Sequence, residues 1–323
     1  MLNVELLREI LIAIVSIVVL VKSADYAIGA VSRFAKKIGF SEYFIGLVTV
    51  SIGTSIPELT TAIIGSLAAR SIQLMATSQL VLGDLIGANI LDVTVVLGVM
   101  AIVGRHIKVK GKLMQKTMLP IMLLILLPMF LGIDGVFSRI DGFIMLCGFA
   151  VYLSRLWKEE KRRGKIKSDI LFKQMYRDMI IFVLAVPFIL LSAKYLVASA
   201  VKLATLLNFP AYLIGLTFVA IGTTLPELTM ETRSVIKGHK EIGFGDILGS
   251  VVVNISLILG IAALISPILL NIKMFMSGMS FMITSVFIAI LFLNKKEISW
   301  KEGIGLLLLY LTFIISIAVT AFA

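Results

Sequence analysis

Hydrophobic residues in this chain come in blocks of about 18–25 positions, parted by short stretches that collect Lys, Arg, Gly and Asp. That is the length at which a helix crosses the hydrocarbon core of a bilayer. LPIMLLILLPMFLGI (119–133), MIIFVLAVPFILLSA (179–193) and GIGLLLLYLTFIISIAVTAFA (303–323) are examples. The pattern predicts ten spanning helices, at about 5–30, 41–69, 74–101, 113–132, 137–156, 176–203, 210–236, 244–267, 272–293 and 300–321. A transmembrane β-barrel would need alternating segments of about 10 residues, and the sequence lacks them. The expected fold class is all-α, a polytopic membrane protein.

Composition agrees. The 323 residues are 59% hydrophobic and 15% charged, against about 45–50% and about 25% in soluble domains. The net charge of +11 would suggest nucleic acid in a soluble protein; here it reads as topogenic. Of the 30 Lys and Arg, 23 fall in the odd-numbered loops and five on the opposite side, with Lys22 and Lys194 inside helices. This bias puts both termini outside and the loop around 157–175 in the cytoplasm. Glu5, Arg8 and Glu9 precede the first apolar run, which is not the positive start of a signal peptide, so that segment is kept as a spanning helix. Cys147 is the single cysteine; it excludes an internal disulfide and reads as a small core residue. His106 and His239 read as solvated loop histidines.

The halves align with each other. IGLVTVSIGTSIPELT (45–60) matches IGLTFVAIGTTLPELT (214–229), and GDLIGANILDVTVVLG (83–98) matches GDILGSVVVNISLILG (245–260). Five spans separate the copies of the first motif, an odd number, so the copies run in opposite directions. That predicts two inverted five-helix repeats, 1–156 and 176–323, joined by a basic, solvated linker at 157–175. Inverted repeats are the build of many secondary transporters.

The doubled motif carries the chemistry. Gly53 and Pro57 interrupt a helix, and broken backbone at membrane depth is tolerated where it is buried or lines a watery cavity. Freed carbonyls, the hydroxyls of Thr54 and Ser55, and the carboxylate of Glu58 would then face one site. Gly222, Thr223, Thr224, Pro226 and Glu227 repeat the set from the other side. Asp92 and Asn254 hold matching positions and add a carboxylate and an amide. Glu58, Glu227 and Asp92 give a formal charge of −3. Hard oxygen donors suit Ca²⁺ or Na⁺ and not soft metals. Close carboxylates disfavour an empty, fully ionised site, which motivates exchange. Asp84 and Asp246 stand where N-capping is at least as good a reading as ion binding, and Asp25 and Lys194 align without an assigned role.

At these residues the chain resembles the cation/Ca²⁺ antiporter superfamily, sodium/calcium exchanger type. GTSIPEL and GTTLPEL look like its two repeat signatures. The resemblance implies a five-plus-five inverted fold, with a core of helices two, three, seven and eight and a sliding first and sixth helix. It implies that Glu58 and Glu227 are the main ligands, joined by Thr54, Ser55, Thr223, Thr224, Asp92, Asn254 and Ser250, with backbone oxygens from Ser51 and Ala220. Three departures stand out: Asp92 and Asn254 reverse the family's Asn and Asp, Ala88 replaces a serine whose partner Ser250 is kept, and both GN pairs read GD.

The expected function is a secondary-active antiporter, functional as a monomer in the plasma membrane. It would extrude Ca²⁺ against Na⁺ or H⁺, with inorganic cations as cargo and no cofactor. No G-x-x-x-x-G-K-[ST] loop is present, which argues against a primary pump. A cation channel with the same cage, a non-transporting Ca²⁺ sensor and an intramembrane enzyme are the weaker alternatives.

Overall fold

The computed structural model describes residues 2–69, 74–108, 112–162, 172–206, 224–295 and 297–322. The first half runs α1 (Leu2–Ile38), α2 (Glu42–Ile45), a π-helical turn (Gly46–Val50), α3 (Ser51–Thr54), α4 (Ile56–Ala69) and α5 (Leu74–Leu91). A second π-helical turn (Asp92–Val96) leads to α6 (Leu97–Gly104), β1 (His106–Lys108), α7 (Lys112–Leu131), β2 (Val136–Phe137) and α8 (Arg139–Arg162). The second half runs α9 (Phe172–Leu206), α10 (Leu225–Ile236), α11 (Lys240–Val252), a third π-helical turn (Val253–Ile258) and α12 (Leu259–Ile265). It ends with β3 (Ile268–Leu269), α13 (Ile272–Asn294), β4 (Glu297–Ser299) and α14 (Trp300–Phe322). Among the described residues, five helical stretches are long and apolar enough to cross a membrane: Val81–Gly104, Lys116–Asp134, Arg139–Arg162, Lys240–Ile265 and Phe275–Asn294.

α1 and α9 are the two longest helices, of 37 and 35 residues. At about 1.5 Å per residue each exceeds the roughly 30 Å of hydrocarbon, so each must tilt or project. They pack along one another, and their ion pairs fix the direction. Glu9, near the start of α1, meets Lys202 near the end of α9 at 3.3 Å. Arg33 and Lys37, near the end of α1, hold Asp178 near the start of α9 at 2.9 and 2.6 Å. The two helices are therefore antiparallel. Their outer faces carry exposed Leu7, Leu11, Val18, Leu184, Phe188 and Leu191, as lipid contact requires.

The interior is closed by glycines. A Cβ on Gly46, Gly245 or Gly249 would run into the backbone carbonyl of Ile242, Tyr43 or Leu47 respectively, so α11 lies directly on the first π-helical turn. Two further contacts mirror each other. A Cβ on Gly142 would stand 2.7 Å from the carbonyl oxygen of Gly260, and one on Gly303 would stand 2.7 Å from that of Gly98. α8 thus meets α12 as α14 meets α6. The short strands follow suit, β1 pairing antiparallel with β4 and β2 with β3. After β2, Ser138 donates from its N–H and its hydroxyl to Asp141 at 2.8 and 2.7 Å. After β4, Ser299 does the same to Glu302. These are matching caps on α8 and α14.

Several expectations change. The span at 41–69 is four helical pieces, with a break at Ser55. The basic linker is helical through Arg162 and again from Phe172; 163–171 lie outside the described residues. Cys147 is exposed and not in the core: it shares α8 with the exposed apolar residues Ile140, Phe143 and Val151, a lipid-facing side. His239 is not a free surface group; its Nδ1 lies 2.9 Å from Glu42 Oε1 and 3.1 Å from Ser32 Oγ. Asp25 has its partners, Arg233 through two bonds of 2.6 and 2.8 Å and Lys237 at 3.5 Å. Lys194 is exposed.

The glycine contacts give the first prediction. Gly245→Ala forces α11 off the π-helical turn, an overpacking cost of about 1–3 kcal/mol, and lowers the unfolding midpoint of the detergent-extracted protein. Gly305→Ala, where nothing lies within 4 Å, leaves the midpoint unchanged or raises it, because Ala is the better helix former. Equal midpoints in the two variants would show that the contact carries no weight.

Candidate functional site

The break begins with Pro57, which has no N–H to offer the carbonyl of Gly53. α3 therefore stops at Thr54, Ser55 turns out of the helix with φ −79° and ψ 12°, and α4 restarts at Ile56. Thr224 has nearly the same conformation, φ −91° and ψ 1°, before α10, with Pro226 in its first turn. Glu58 and Glu227 thus sit in the first turns of α4 and α10, where the positive helix end favours a carboxylate. Gly222, Thr223 and Ala220 lie outside the described residues.

The site is deeply buried. Ser51, Thr54, Ser55, Glu58, Asp92, Thr224, Glu227, Ser250 and Asn254 are all at most 4% exposed. Glu58, Asp92 and Glu227 come within electrostatic reach of one another, with Asp84 beside Glu58 and Asp246 beside Asp92 and Glu227. Among the described residues no Lys, Arg or His forms an ion pair with any of these acids. Among the described residues thirteen side-chain oxygens are buried without a hydrogen-bond partner, and six of them belong to the residues singled out in the sequence: Ser55 Oγ, Glu58 Oε2, Asp92 Oδ1, Glu227 Oε2, Ser250 Oγ and Asn254 Oδ1. Six of the eleven residues singled out in the sequence contribute such an atom. Orphaned buried polar atoms are rare in folded proteins and call for a reason; unsatisfied oxygens that face a cation are satisfied by it.

The other residues are partly engaged. Ser51 Oγ donates to the Leu47 carbonyl at 2.6 Å, and the Ser51 carbonyl accepts from the Ser55 N–H at 3.0 Å. Thr54 Oγ1 lies 3.2 Å from the Val50 carbonyl and 3.3 Å from Asp246 Oδ1. Among the described residues no three His, Cys, Asp or Glu side chains converge as a metal cluster.

Three features escaped the sequence reading. The N-cap alternative for Asp84 and Asp246 fails, because α5 and α11 begin well before them and both aspartates lie inside a helix. Asn89 is joined to the candidate residues: it is fully buried and its Oδ1 accepts from Asn254 Nδ2 at 3.0 Å. Its amide, two residues after Gly87, was visible in GANILD but has no counterpart in GSVVVN. Glu231, one helical turn beyond Glu227, is buried with both oxygens unpartnered; it lies outside the repeated motif and so carried no signal.

A helical bundle that spans a membrane and buries an acid- and oxygen-lined site of this kind defines a cation transporter. The family model for the sodium/calcium exchanger protein matches residues 8–158 and 178–319. The chain belongs to the sodium/calcium exchanger family and is a membrane transporter, not an enzyme. It is 30% identical to the sodium/calcium exchanger MaX1 of Methanosarcina acetivorans, over 94% of this chain and 97% of that protein. It is also 30% identical to the inner membrane protein YrbG of Escherichia coli, over 91% of each. The solved structure of the sodium-calcium exchanger NCX_Mj superposes with a TM-score of 0.82 at 26% identity, over 96% of this chain and 99% of that one.

The Asn89–Asn254 bond generates a prediction. Asn89→Ala leaves Asn254 Nδ2 without its acceptor, at a cost of about 1–3 kcal/mol, and weakens cation affinity about tenfold by calorimetric titration of the purified protein. An unchanged affinity would remove Asn89 from the site.

Proposed function

We propose that this protein is a secondary-active antiporter that exchanges Ca²⁺ for Na⁺ by alternating access at one buried site. The ligands are Glu58, Glu227, Asp92, Asn254, Thr54, Ser55, Thr223, Thr224 and Ser250, with backbone oxygens from Ser51 and Ala220. The observation that carries the reading is the set of six buried, unpartnered oxygens on the turn at Ser55, α4, α10, α11 and the second and third π-helical turns. Hard donors of this kind suit Ca²⁺. One Ca²⁺ does not neutralise three carboxylates, whereas three monovalent ions would, and a site that cannot rest ionised and empty reorients only when loaded.

The architecture we propose is ten spanning helices in two inverted five-helix repeats. Support comes from the equivalent helices α1 and α9 running antiparallel and from the matched turns at Ser55 and Thr224. The π-helical turns at Asp92–Val96 and Val253–Ile258 and the mirrored glycine and strand contacts add to it. A pseudo-twofold axis would exchange each pair. The bias of Lys and Arg supports external termini, a cytoplasmic basic linker and a place in the plasma membrane. The site is built within one chain, which is the ground for a functional monomer.

The deciding experiment is ⁴⁵Ca²⁺ uptake into proteoliposomes driven in parallel by outward Na⁺ and outward H⁺ gradients. Uptake on Na⁺ alone is expected; uptake on H⁺ alone would replace the coupling ion, and uptake that needs no counter-ion would mean a channel. Glu58→Gln and Glu227→Gln each abolish exchange while yielding folded, extractable protein. Full flux in both variants would remove the assigned site. Ala88 is buried where the family places a hydroxyl, so Ala88→Ser shifts the Na⁺ activation curve to lower Na⁺; a coincident curve would count against a Na⁺ ligand there.

A further inference from the structure

Glu231 and Asp246 are not used by the exchange site as described, yet both are fully buried. Glu231 follows Glu227 by one turn on α10 and points to the same side. α10 lies close on α11: a Cβ added to Gly243 would stand 3.5 Å from Glu231 Cα and 2.5 Å from Ser234 Oγ. Asp246, one turn beyond Gly243 on α11, is within electrostatic reach of Glu231. Both oxygens of Glu231 have no hydrogen-bond partner, and Asp246 Oδ2 and Ser250 Oγ, close enough to interact with each other, have no other. The remaining Asp246 oxygen receives Thr54 Oγ1 at 3.3 Å, which ties the region to the broken helix.

Among the described residues no basic side chain compensates them. Arg233 and Lys237, the basic groups on and just after α10, are drawn away to Asp25 on α1. On α9, Lys202 holds Glu9 and Asp178 takes up Arg33 and Lys37. α6 offers no titratable group, and the second π-helical turn offers only Asp92, another acid. An ionised carboxylate buried with neither hydrogen bond nor counter-charge costs far more than a folded protein can tolerate, so each must take up a proton or meet a cation.

We propose that Glu231, Asp246 and Ser250 form a second, monovalent cation subsite beside the exchange site, occupied by Na⁺. The donors are hard oxygens. Ca²⁺ takes 6–8 oxygens; two carboxylates and one hydroxyl offer at most about five, short of a Ca²⁺ shell and enough for Na⁺. The subsite is one-sided: in the motif alignment Glu231 corresponds to Ala62, and Asp84, which corresponds to Asp246, is only half-buried. It rests on the cation-exchange reading above and gives that reading a Na⁺ position that the repeated motif does not supply.

The test is equilibrium ²²Na⁺ binding to the purified full chain in detergent, with choline as the replacement cation, run beside ⁴⁵Ca²⁺ flux in proteoliposomes. Glu231→Gln binds one Na⁺ fewer per chain than wild type, and Asp246→Asn shows the same loss. Should Glu231→Gln not yield monodisperse protein, the isosteric Asp246→Asn decides alone. Equal Na⁺ stoichiometry and affinity in wild type and variants overturns the subsite, as does wild-type binding that follows pH and not Na⁺. The two readings fail separately: wild-type Ca²⁺ flux with unaltered Na⁺ binding in the variants sinks only the subsite. Absent Ca²⁺ flux with a lost Na⁺ in the variants sinks only the exchange assignment.

Discussion

The cost of burying carboxylates in an apolar helical core is the constraint on which this molecule depends. Glu58, Asp92, Glu227, Glu231 and Asp246 are at most 3% exposed, and no basic side chain among the described residues pairs with them. Elsewhere the chain pairs its acids readily: Asp25 takes Arg233, Asp178 takes Arg33 and Lys37, and Glu9 takes Lys202. The contrast shows that, among the described residues, the central acids are kept without basic partners while peripheral ones are matched. A resident lysine or arginine would neutralise the site permanently and remove its need for an ion from solution. Under the proposed exchange, leaving the charge unpaired would make the cation part of the folded core, so that an empty site is disfavoured and the exchange of one load for another is not.

The mechanics divide the molecule in two. α11 is locked to the first π-helical turn by glycine-to-backbone contacts, and α8 with α12, and α6 with α14, are locked in the same way. Contacts without side chains leave little room for sliding. α1 and α9 are held differently: they are joined to each other by ion pairs near both ends and to the interlocked part through Asp25 and Arg233. Ion pairs can be exchanged for water or for new partners at modest cost, whereas interlocked backbone cannot. The helix pair is thus the part best suited to move as a unit over a rigid core, which is what resemblance to the family implied for its first and sixth helices.

Much of this was legible in the sequence because the chain states its motif twice. Gly53, Pro57 and Glu58 in an apolar run already specify a broken helix with a buried acid, and the break falls at Ser55. What could not be read depends on geometry between distant segments. The three π-helical turns have no composition of their own; each adds a residue to a helix whose apolar run is unbroken. Asp25 finds Arg233 across 208 positions, a pairing that no local pattern encodes. Asp84 and Asp246 looked like helix starts because glycine precedes them, but packing carries each helix well upstream. Asn89 and Glu231 leave no mark in the repeat, because each is a residue that only one half possesses.

Those one-sided residues carry a consequence for direction. If the two halves are inverted copies, a perfectly symmetric site would give the inward-facing and outward-facing states equal energies and ion affinities. Here the backbone is close to symmetric, with matched turns at Ser55 and Thr224 and matched glycine contacts. The side chains are not: Asp92 stands against Asn254, Ala88 against Ser250, Ala62 against Glu231. Charge and hydroxyl are therefore distributed unevenly about an evenly built frame. A fold that supplies two states of similar energy needs only such a local imbalance, worth a few kcal/mol, to set their populations far apart, and that imbalance resides in side chains that can change without disturbing the helices that bear them.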